Sequence, residues 1–290
     1  MLGTRALRRL AASALPIALA AAAPAAEPPP LRVVATIEPL CMLARELGGE
    51  RVACSTLVPA GASPHAFEPR PSAMAAVADA ELLLRAGNGV DDWAAPLAGS
   101  AHHDWLALGP ACAVQDSDCA HFWVDPYAAL AALSPLEAAL AERDPRGRAF
   151  YGARRIESAL ALFALDEELA RSLAPSRGTA LIAFHPTFGG FAKRYGLVDL
   201  GAIEAHGAEE PTPRHLAELI DAARAAQARA VLVEPQLDPH VARIVAEELA
   251  VPVVRVDSLG DPRDPERASY PALLRWNARQ LAAALGGAKP

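Results

Sequence analysis

The sequence lacks the short motifs that mark the common zinc fingers, zinc proteases and serine hydrolases. None of its four cysteines is spaced as Cys-x-x-Cys, and no His-Glu-x-x-His or Gly-x-Ser-x-Gly run occurs in its 290 residues. Such motifs bring metal ligands or a nucleophile together within one short stretch of chain. Their absence disfavours these classes, so a functional site would have to be assembled from residues that lie far apart in the sequence.

Basic segments are also missing after the first few residues. The chain has 27 Lys and Arg against 34 Asp and Glu, a formal net charge of −7, and no basic run in its main part. An acidic chain of this kind is a poor candidate for binding nucleic acid or anionic lipid, because both carry negative charge. We therefore expect no nucleic-acid partner.

A long apolar run is absent as well, except for a short one near the N-terminus. Three arginines at 5, 8 and 9 precede an alanine-rich apolar stretch at 10–23, and small residues follow up to Ala26. This pattern predicts a secretory signal peptide at 1–26 that is cleaved, since the apolar stretch is too short to span a bilayer well. No cysteine lies at the cleavage point, so we expect a periplasmic protein without a lipid anchor.

The four cysteines fit the oxidising compartment that a signal peptide implies. Cys41, Cys54, Cys112 and Cys119 allow three pairings of two disulfides. Proximity in the sequence favours Cys41–Cys54 and Cys112–Cys119. A cysteine-based metal site is the alternative, and the missing Cys-x-x-Cys spacing disfavours it.

Short apolar runs alternate with helical patterns along the rest of the chain. Runs at 31–37, 179–184 and 251–256 are typical of buried strands, and helical patterns follow most such runs. The alternation predicts an α/β fold with mostly parallel sheets and helices on their faces. The polar segment at 100–120 is predicted to be a loop.

One helical pattern is much longer than the others and contains no proline between its ends. It covers about thirty residues after Pro145, which would span roughly 45 Å at 1.5 Å per residue. We interpret it as a rigid strut between two Rossmann-like lobes. The predicted domains are an N-terminal lobe at 31–145, the linking helix at 146–174 and a C-terminal lobe at 178–290.

Three histidines and one aspartate lie beside loops at the ends of predicted elements. His185 follows the apolar run at 179–184, and the carboxyl ends of strands are where open parallel sheets place their ligands. Zinc commonly takes four imidazole or carboxylate ligands in a tetrahedron. We predict one metal site made of His65, His121, His185 and Asp257, with Asp257 alternatively capping the turn at 258–260.

Two further sets of residues have weaker roles in this hypothesis. Glu68 is predicted to accept a hydrogen bond from an imidazole N–H or to brace its loop, rather than to bind the ion itself. His102 and His103 are open candidates for assisting metal loading. Since protonated imidazole cannot bind metal, we expect binding to weaken as the pH falls below about 6.5.

Four segments carry a resemblance to a known family, and they occur in the same order along the chain. They are PAGASPHAFEPRPS at 59–72, HFWVDP at 121–126, FHPTFGGFAKRYGL at 184–197, and EP at 234–235 with VDSLG at 256–260. Together they resemble the ligand loops and closing segments of the zinc/manganese-type periplasmic solute-binding proteins of metal ABC importers. The resemblance covers the whole chain after the signal peptide.

The resemblance implies a binding protein that catalyses nothing. In that family two α/β lobes are joined by one long helix and bury a divalent metal between them. The expected function is capture of this ion in the periplasm and delivery to the transmembrane subunits of an ABC permease, with the protein itself a monomer. The match of the family's aspartate to Asp257 supports it as the fourth ligand.

The resemblance also bears on which metal is transported. Manganese-type relatives often have glutamate as the third ligand, whereas His185 stands at that position here. Imidazole is a softer ligand than carboxylate, and this favours Zn²⁺ over Mn²⁺. The long His-rich loop of many zinc relatives is reduced here to His102 and His103. A manganese-specific protein, a periplasmic zinc buffer and a metallohydrolase remain the alternatives.

Overall fold

A computed structural model describes residues 28–100, 104–112, 119–204 and 211–286. The predicted signal peptide at 1–26, together with His102 and His103, lies outside the described residues. The strands are β1 Leu31–Ala35, β2 Val52–Thr56, β3 Leu82–Arg85, β4 Trp105–Ala107, β5 Ala180–Ala183, β6 Val198–Ala202, β7 Val231–Val233 and β8 Val253–Arg255. The helices are α1 Glu38–Gly48, α2 Pro71–Asp79, α3 Pro126–Arg143, α4 Arg148–Leu173, α5 Gly189–Tyr195, α6 Pro213–Ala225, α7 His240–Leu249 and α8 Tyr270–Leu285.

The strands form two four-stranded sheets with the same order. The first sheet runs β2-β1-β3-β4 and the second β6-β5-β7-β8, and every neighbouring pair is parallel. In each sheet the first strand, β1 or β5, lies between the two strands that follow it in the sequence. The order in which strands are added across the sheet therefore reverses at this strand. Ligands of parallel sheets bind at the carboxyl ends of strands beside such a switch point. The predicted α/β class with two lobes is confirmed.

The sequence prediction missed strand β4. This strand has only three residues, Trp105–Ala107, and it lies in the segment predicted as a loop. It pairs with β3 at the edge of the first sheet. Polar residues at 102–104 precede it, and Gly109 and Pro110 follow after one more apolar residue, so its apolar run is too short to stand out in the sequence.

Helix α4 is the long helix of the sequence analysis. It extends over Arg148–Leu173, 26 residues, and short 3₁₀ turns at Pro145–Gly147 and Ala174–Ser176 adjoin its two ends. At 1.5 Å per residue its length is about 39 Å. Its buried face packs against α1 and α3 of the first lobe and against α5 and α8 of the second.

The two lobes share one apolar core. A single cluster of buried side chains includes Ala35 and Leu84 of the first sheet, Leu165 of α4, and Ala183 and Leu232 of the second sheet. Protein interiors are close-packed and resist deformation. The lobes are therefore fastened to each other through packed side chains along α4.

The disulfide prediction is confirmed for one pair. Cys41 in α1 is bonded to Cys54 in β2, across 13 residues of sequence. Cys112 is buried, and its sulfur lies 3.2 Å from the carbonyl oxygen of Leu108. The side chain of Cys119 is not among the described atoms, so the Cys112–Cys119 pairing stays a prediction.

We expect the double variant Cys41→Ala/Cys54→Ala to lose about 2–3 kcal/mol of unfolding free energy, because a cross-link over a loop of this length restricts the unfolded chain. Urea unfolding of the metal-free protein, followed by circular dichroism, measures this change. The wild-type protein with dithiothreitol is the matched control and should approach the variant's midpoint. Equal midpoints for the variant and the oxidised wild type would contradict the expectation.

Candidate metal centre

A cavity of about 230 Å³ lies between the two lobes and is lined by residues of both. The N-terminal half contributes the loop at 63–66 together with His121 and Trp123. The C-terminal half contributes side chains that follow strands β5, β6, β7 and β8. These are Thr187, Glu204, Gln236 and Ser258, beside His185. The cavity therefore lies at the carboxyl ends of the second sheet's strands.

Three imidazoles meet in this cavity. The Nε2 atom of His65 lies 3.1 Å from Nε2 of His121 and 3.1 Å from Nε2 of His185. His121 is 9% exposed and His185 is 7% exposed, whereas His65 is half-buried. One nitrogen of each ring lies within 4.8 Å of the others, and no further carboxylate or thiol of the described residues joins this group.

The geometry suits a cation bound by nitrogen. Zinc–nitrogen bonds of about 2.0–2.1 Å at tetrahedral angles would place two ligand nitrogens roughly 3.3–3.4 Å apart. A neutral imidazole has one N–H, so the Nε2 atom of His65 can donate to only one of its two neighbours. At least one of the two 3.1 Å nitrogen–nitrogen contacts therefore has no proton between its nitrogens. A single cation would instead accept a lone pair from all three rings.

Burial keeps these rings in the form that binds metal. Desolvation lowers the pKa of His185 from 6.5 to about 4, with a smaller contribution from the nearby His65. Desolvation also lowers the pKa of His121 well below 6.5, and it lowers that of His65 to a lesser degree. All three imidazoles are therefore neutral at pH 7, with a lone pair available for a metal ion.

His185 is positioned by the end of strand β5. The strand stops at Ala183, and a tight turn follows in which the Thr187 amide donates to the His185 carbonyl over 2.8 Å. The Nδ1 atom of His185 is buried and lies 3.6 Å from a carboxylate oxygen of Glu204. A carboxylate on this side favours a proton on Nδ1, which leaves the Nε2 lone pair directed into the cluster.

His121 is positioned by a segment that is fastened to the second lobe. The indole N–H of Trp123 donates to the Ser258 carbonyl over 2.8 Å, and the Tyr270 hydroxyl donates to the Trp123 carbonyl over 2.6 Å. Asp125 then caps α3 by accepting from the amides of Tyr127 and Ala128. The position of His121 is therefore set by buried contacts on both sides of the cavity.

Asp257 does not belong to the group of three imidazoles, and its role as the fourth ligand stays a prediction. One of its carboxylate oxygens accepts from the amides of Leu259 and Gly260, each over 2.9 Å. The other oxygen pairs with the Arg267 guanidinium at 2.6 Å. The alternative role, a cap for the turn at 258–260, is the one that the structure shows. Arg267 lies ten residues further along, and no sequence pattern linked the two.

Glu68 is also placed away from the cluster. Its side chain is exposed, and it is not among the residues that line the cavity. The carboxylate that faces an imidazole is Glu204, which sequence reasoning did not assign. The signal for Glu204 is its place two residues after β6, and it can be used once β6 is known to be the neighbour of β5. Residues that follow neighbouring parallel strands lie at the same edge of the sheet.

A buried carboxylate ties together the turns beneath the cavity. Glu234 is 3% exposed and accepts hydrogen bonds from the Thr187 hydroxyl over 2.6 Å, from the Gln236 amide over 2.7 Å and from the Ser258 hydroxyl. Burial raises the pKa of Glu234 from 4.5 to about 7, against these hydrogen bonds. The network connects the His185 turn to the turn that receives Trp123.

No helix of the described ranges combines the length and apolar character needed to cross a membrane.

Comparison with known proteins relates this fold and cavity to metal uptake. Residues 33–284 match the family model for the zinc-uptake complex component A, periplasmic. The chain is 26% identical to the high-affinity zinc uptake system protein ZnuA of Paracoccus denitrificans, over 88% of this chain and 92% of that protein. It is also 26% identical to the manganese-binding lipoprotein MntA of Halalkalibacterium halodurans, over 79% of this chain and 80% of that protein.

Solved structures agree with this relation. A crystal structure of ZnuA superimposes with a TM-score of 0.78 at 26% identity, covering 88% of this chain and 99% of that one. The periplasmic zinc-binding protein TroA of Treponema pallidum has the same fold, with a TM-score of 0.79 over 88% of this chain and 99% of that one, at 17% identity. The match spans nearly all of the described chain, and we conclude that this protein belongs to the periplasmic zinc-uptake component A family, whose members are solute-binding proteins of metal importers and not enzymes.

Proposed function

We propose that this protein captures one zinc ion in the periplasm with His65, His121 and His185 and delivers it to the permease of an ABC importer. The observation that carries the proposal is the convergence of three neutral, largely buried imidazole nitrogens within a cavity between two lobes. Family membership supports the transport role, since solute-binding proteins of ABC importers work with permease and ATPase components. The ion is cargo here, and no chemistry is performed on it.

Zinc is preferred over manganese because of the donor atoms. Imidazole nitrogen suits Zn²⁺, whereas Mn²⁺ favours carboxylate and water oxygen. The cluster contains three nitrogens, and Asp257 is held by Arg267 instead of facing it. Relatives of similar identity are named for zinc and for manganese, so they do not decide the metal. Water or Glu204 would complete a four-coordinate ion, the usual coordination number of zinc in proteins.

The first test is metal binding by the purified, metal-free protein. We expect about one zinc ion per chain, bound more tightly than manganese in competition with a chromophoric chelator. His185→Ala should weaken zinc binding by at least about 100-fold, because even the hydrogen-bond partners of metal ligands contribute about 10- to 100-fold. The matched control is His240→Ala, which removes an exposed histidine at the start of α7.

Two outcomes of this titration would contradict the proposal. Unchanged zinc affinity in the His185→Ala variant would remove the cavity from consideration as the binding site. Tighter binding of manganese than of zinc by the wild type would keep the site and change its cargo. Elemental analysis of protein purified from periplasm gives an independent reading of the metal.

A second prediction concerns Asp257. Asp257→Asn keeps the shape of the side chain, and we expect zinc affinity to stay within about threefold of wild type, because this carboxylate is engaged by Arg267. The variant should lose about 1–3 kcal/mol of unfolding free energy, since it removes the charge of the buried carboxylate and leaves the Arg267 guanidinium with Asp264 as its charged partner. Chelator competition and urea unfolding measure the two effects. A loss of zinc affinity comparable to that of His185→Ala would show that Asp257 moves to the ion.

A third prediction concerns pH. The depressed pKa values should move the loss of zinc affinity to lower pH than the 6.5 of free imidazole expected from the sequence, with the steepest fall as the pH approaches the pKa of His185, about 4. An affinity that already falls tenfold per pH unit through 6.5 would indicate ordinary, solvated histidines. Chelator competition at each pH gives the profile.

The fold must be monitored in the same samples. As the pH falls from 6.5 toward 4, the unfolded chain binds more protons on these histidines than the folded metal-free chain does. The unfolding free energy of the metal-free protein therefore decreases as the pH falls through this window. Circular dichroism separates this loss from release of zinc by folded protein.

A further inference from the structure

The three imidazoles are not held equally firmly. His121 and His185 belong to turns that buried hydrogen bonds connect through Trp123, Ser258, Glu234 and Thr187. His65 lies on the segment at 57–70, which has neither helix nor strand. Its position has to be set by contacts of another kind.

The backbone of this segment offers little support for His65. Prolines at 59, 64 and 69 carry no N–H, so they cannot donate to neighbouring elements. In the described chain, the backbone hydrogen bond that lies within 59–69 joins the Ala62 amide to the Pro59 carbonyl. Most residues of the stretch are exposed or half-buried. Segments with few buried contacts and few hydrogen bonds open at low free-energy cost.

One side chain of the first lobe contacts this segment on both sides of His65. The indole N–H of Trp93 donates to the Pro64 carbonyl over 2.7 Å, immediately before His65. The Trp93 ring also packs on the Phe67 ring, with 4.8 Å between centroids, two residues after His65. The two contacts together fix the chain direction through the histidine.

Trp93 is itself held by a buried anchor. Asp91, two residues earlier, is fully buried and accepts from the Thr36 hydroxyl over 2.5 Å and from the amides of Ala86 and Gly87 over 2.6 and 2.8 Å. These partners follow strands β1 and β3 of the first sheet. A chain of direct contacts thus leads from the rigid sheet to the His65 segment.

We propose that Trp93 is the positioning residue for His65, and that its hold on Pro64 and Phe67 sets how fast the bound ion is released. The inference rests on the proposed three-histidine site. Release proceeds when the His65 segment opens while His121 and His185 stay in place. The indole opposes that opening without contacting the ion.

The experiment measures zinc dissociation from the full chain after mixing with excess chromophoric chelator in a stopped-flow instrument. Trp93→Phe keeps a ring against Phe67 and removes the N–H. Loss of one neutral hydrogen bond should speed dissociation about 3- to 10-fold. Phe67→Leu removes the ring contact and keeps the N–H, so it gives a second, independent variant that should also speed release.

The matched control is Trp105→Phe. Trp105 is another indole of the first lobe, and its N–H has no hydrogen-bond acceptor in the part of the chain that the structure describes. This variant should leave the dissociation rate unchanged. A rate increase equal to that of Trp93→Phe would overturn the inference, because the effect would then be general to the lobe.

A double-mutant cycle separates positioning of His65 from a general structural role. If Trp93 acts through His65, Trp93→Phe should change zinc affinity less than about twofold in the His65→Ala background. An equal loss with and without His65 would overturn the inference. So would an unchanged rate and affinity in Trp93→Phe and Phe67→Leu while His65→Ala weakens binding. If His65→Ala itself leaves zinc affinity unchanged, the three-histidine site fails, and this inference fails with it.

Discussion

The cavity depends on three imidazole nitrogens held close together, with that of His65 at hydrogen-bond distance from the other two and without enough protons for both contacts. Two Nε2–Nε2 separations of 3.1 Å and low exposure of His121 and His185 define this arrangement. Protonation of the rings, which could supply the missing protons, is disfavoured because burial lowers the pKa of each ring. Lone pairs that cannot be protonated and cannot separate are stabilised by a cation. The surrounding contacts serve to keep the rings from separating.

The fold meets this constraint with two sheets of the same strand order and a core that they share. Parallel strands place their carboxyl ends at one edge, so His185 after β5 and Glu204 after β6 lie next to each other. The bonds of Trp123 to Ser258 and Tyr270 then bring the His121 segment from the first half of the chain onto the second lobe. Because one apolar cluster continues through α4 into both sheets, large hinge motions would break packed contacts. Movement of the His65 segment is the less costly way to open the site.

Much of this could be predicted from the sequence, and the exceptions have physical reasons. His185 was predictable because an apolar strand ends directly before it, and α4 because its helical pattern runs without proline. Asp257 was not, since its carboxylate is occupied by Arg267 and by two amides of its own turn, and a residue pattern does not report competition for a side chain. Glu204 could be assigned only together with the strand order, because it comes after β6, the neighbour of β5. Which carboxylate faces an imidazole depends on strand order, and strand order is a property of the folded sheet.

The donor set also explains how a site with neutral ligands can be selective. In the proposed site three imidazoles contribute no charge, so the ion would be held by nitrogen donation more than by charge neutralisation, and such a donor set suits zinc better than manganese. Glu204 lines the cavity, but two other nearby carboxylates are held by other partners: Asp257 is paired with Arg267, and Glu234 is surrounded by hydroxyl and amide donors. If either carboxylate reached the ion, the donor set would gain oxygen and charge and would suit manganese better. Under the proposed function, the contacts that restrain these carboxylates would therefore contribute to the discrimination between metals.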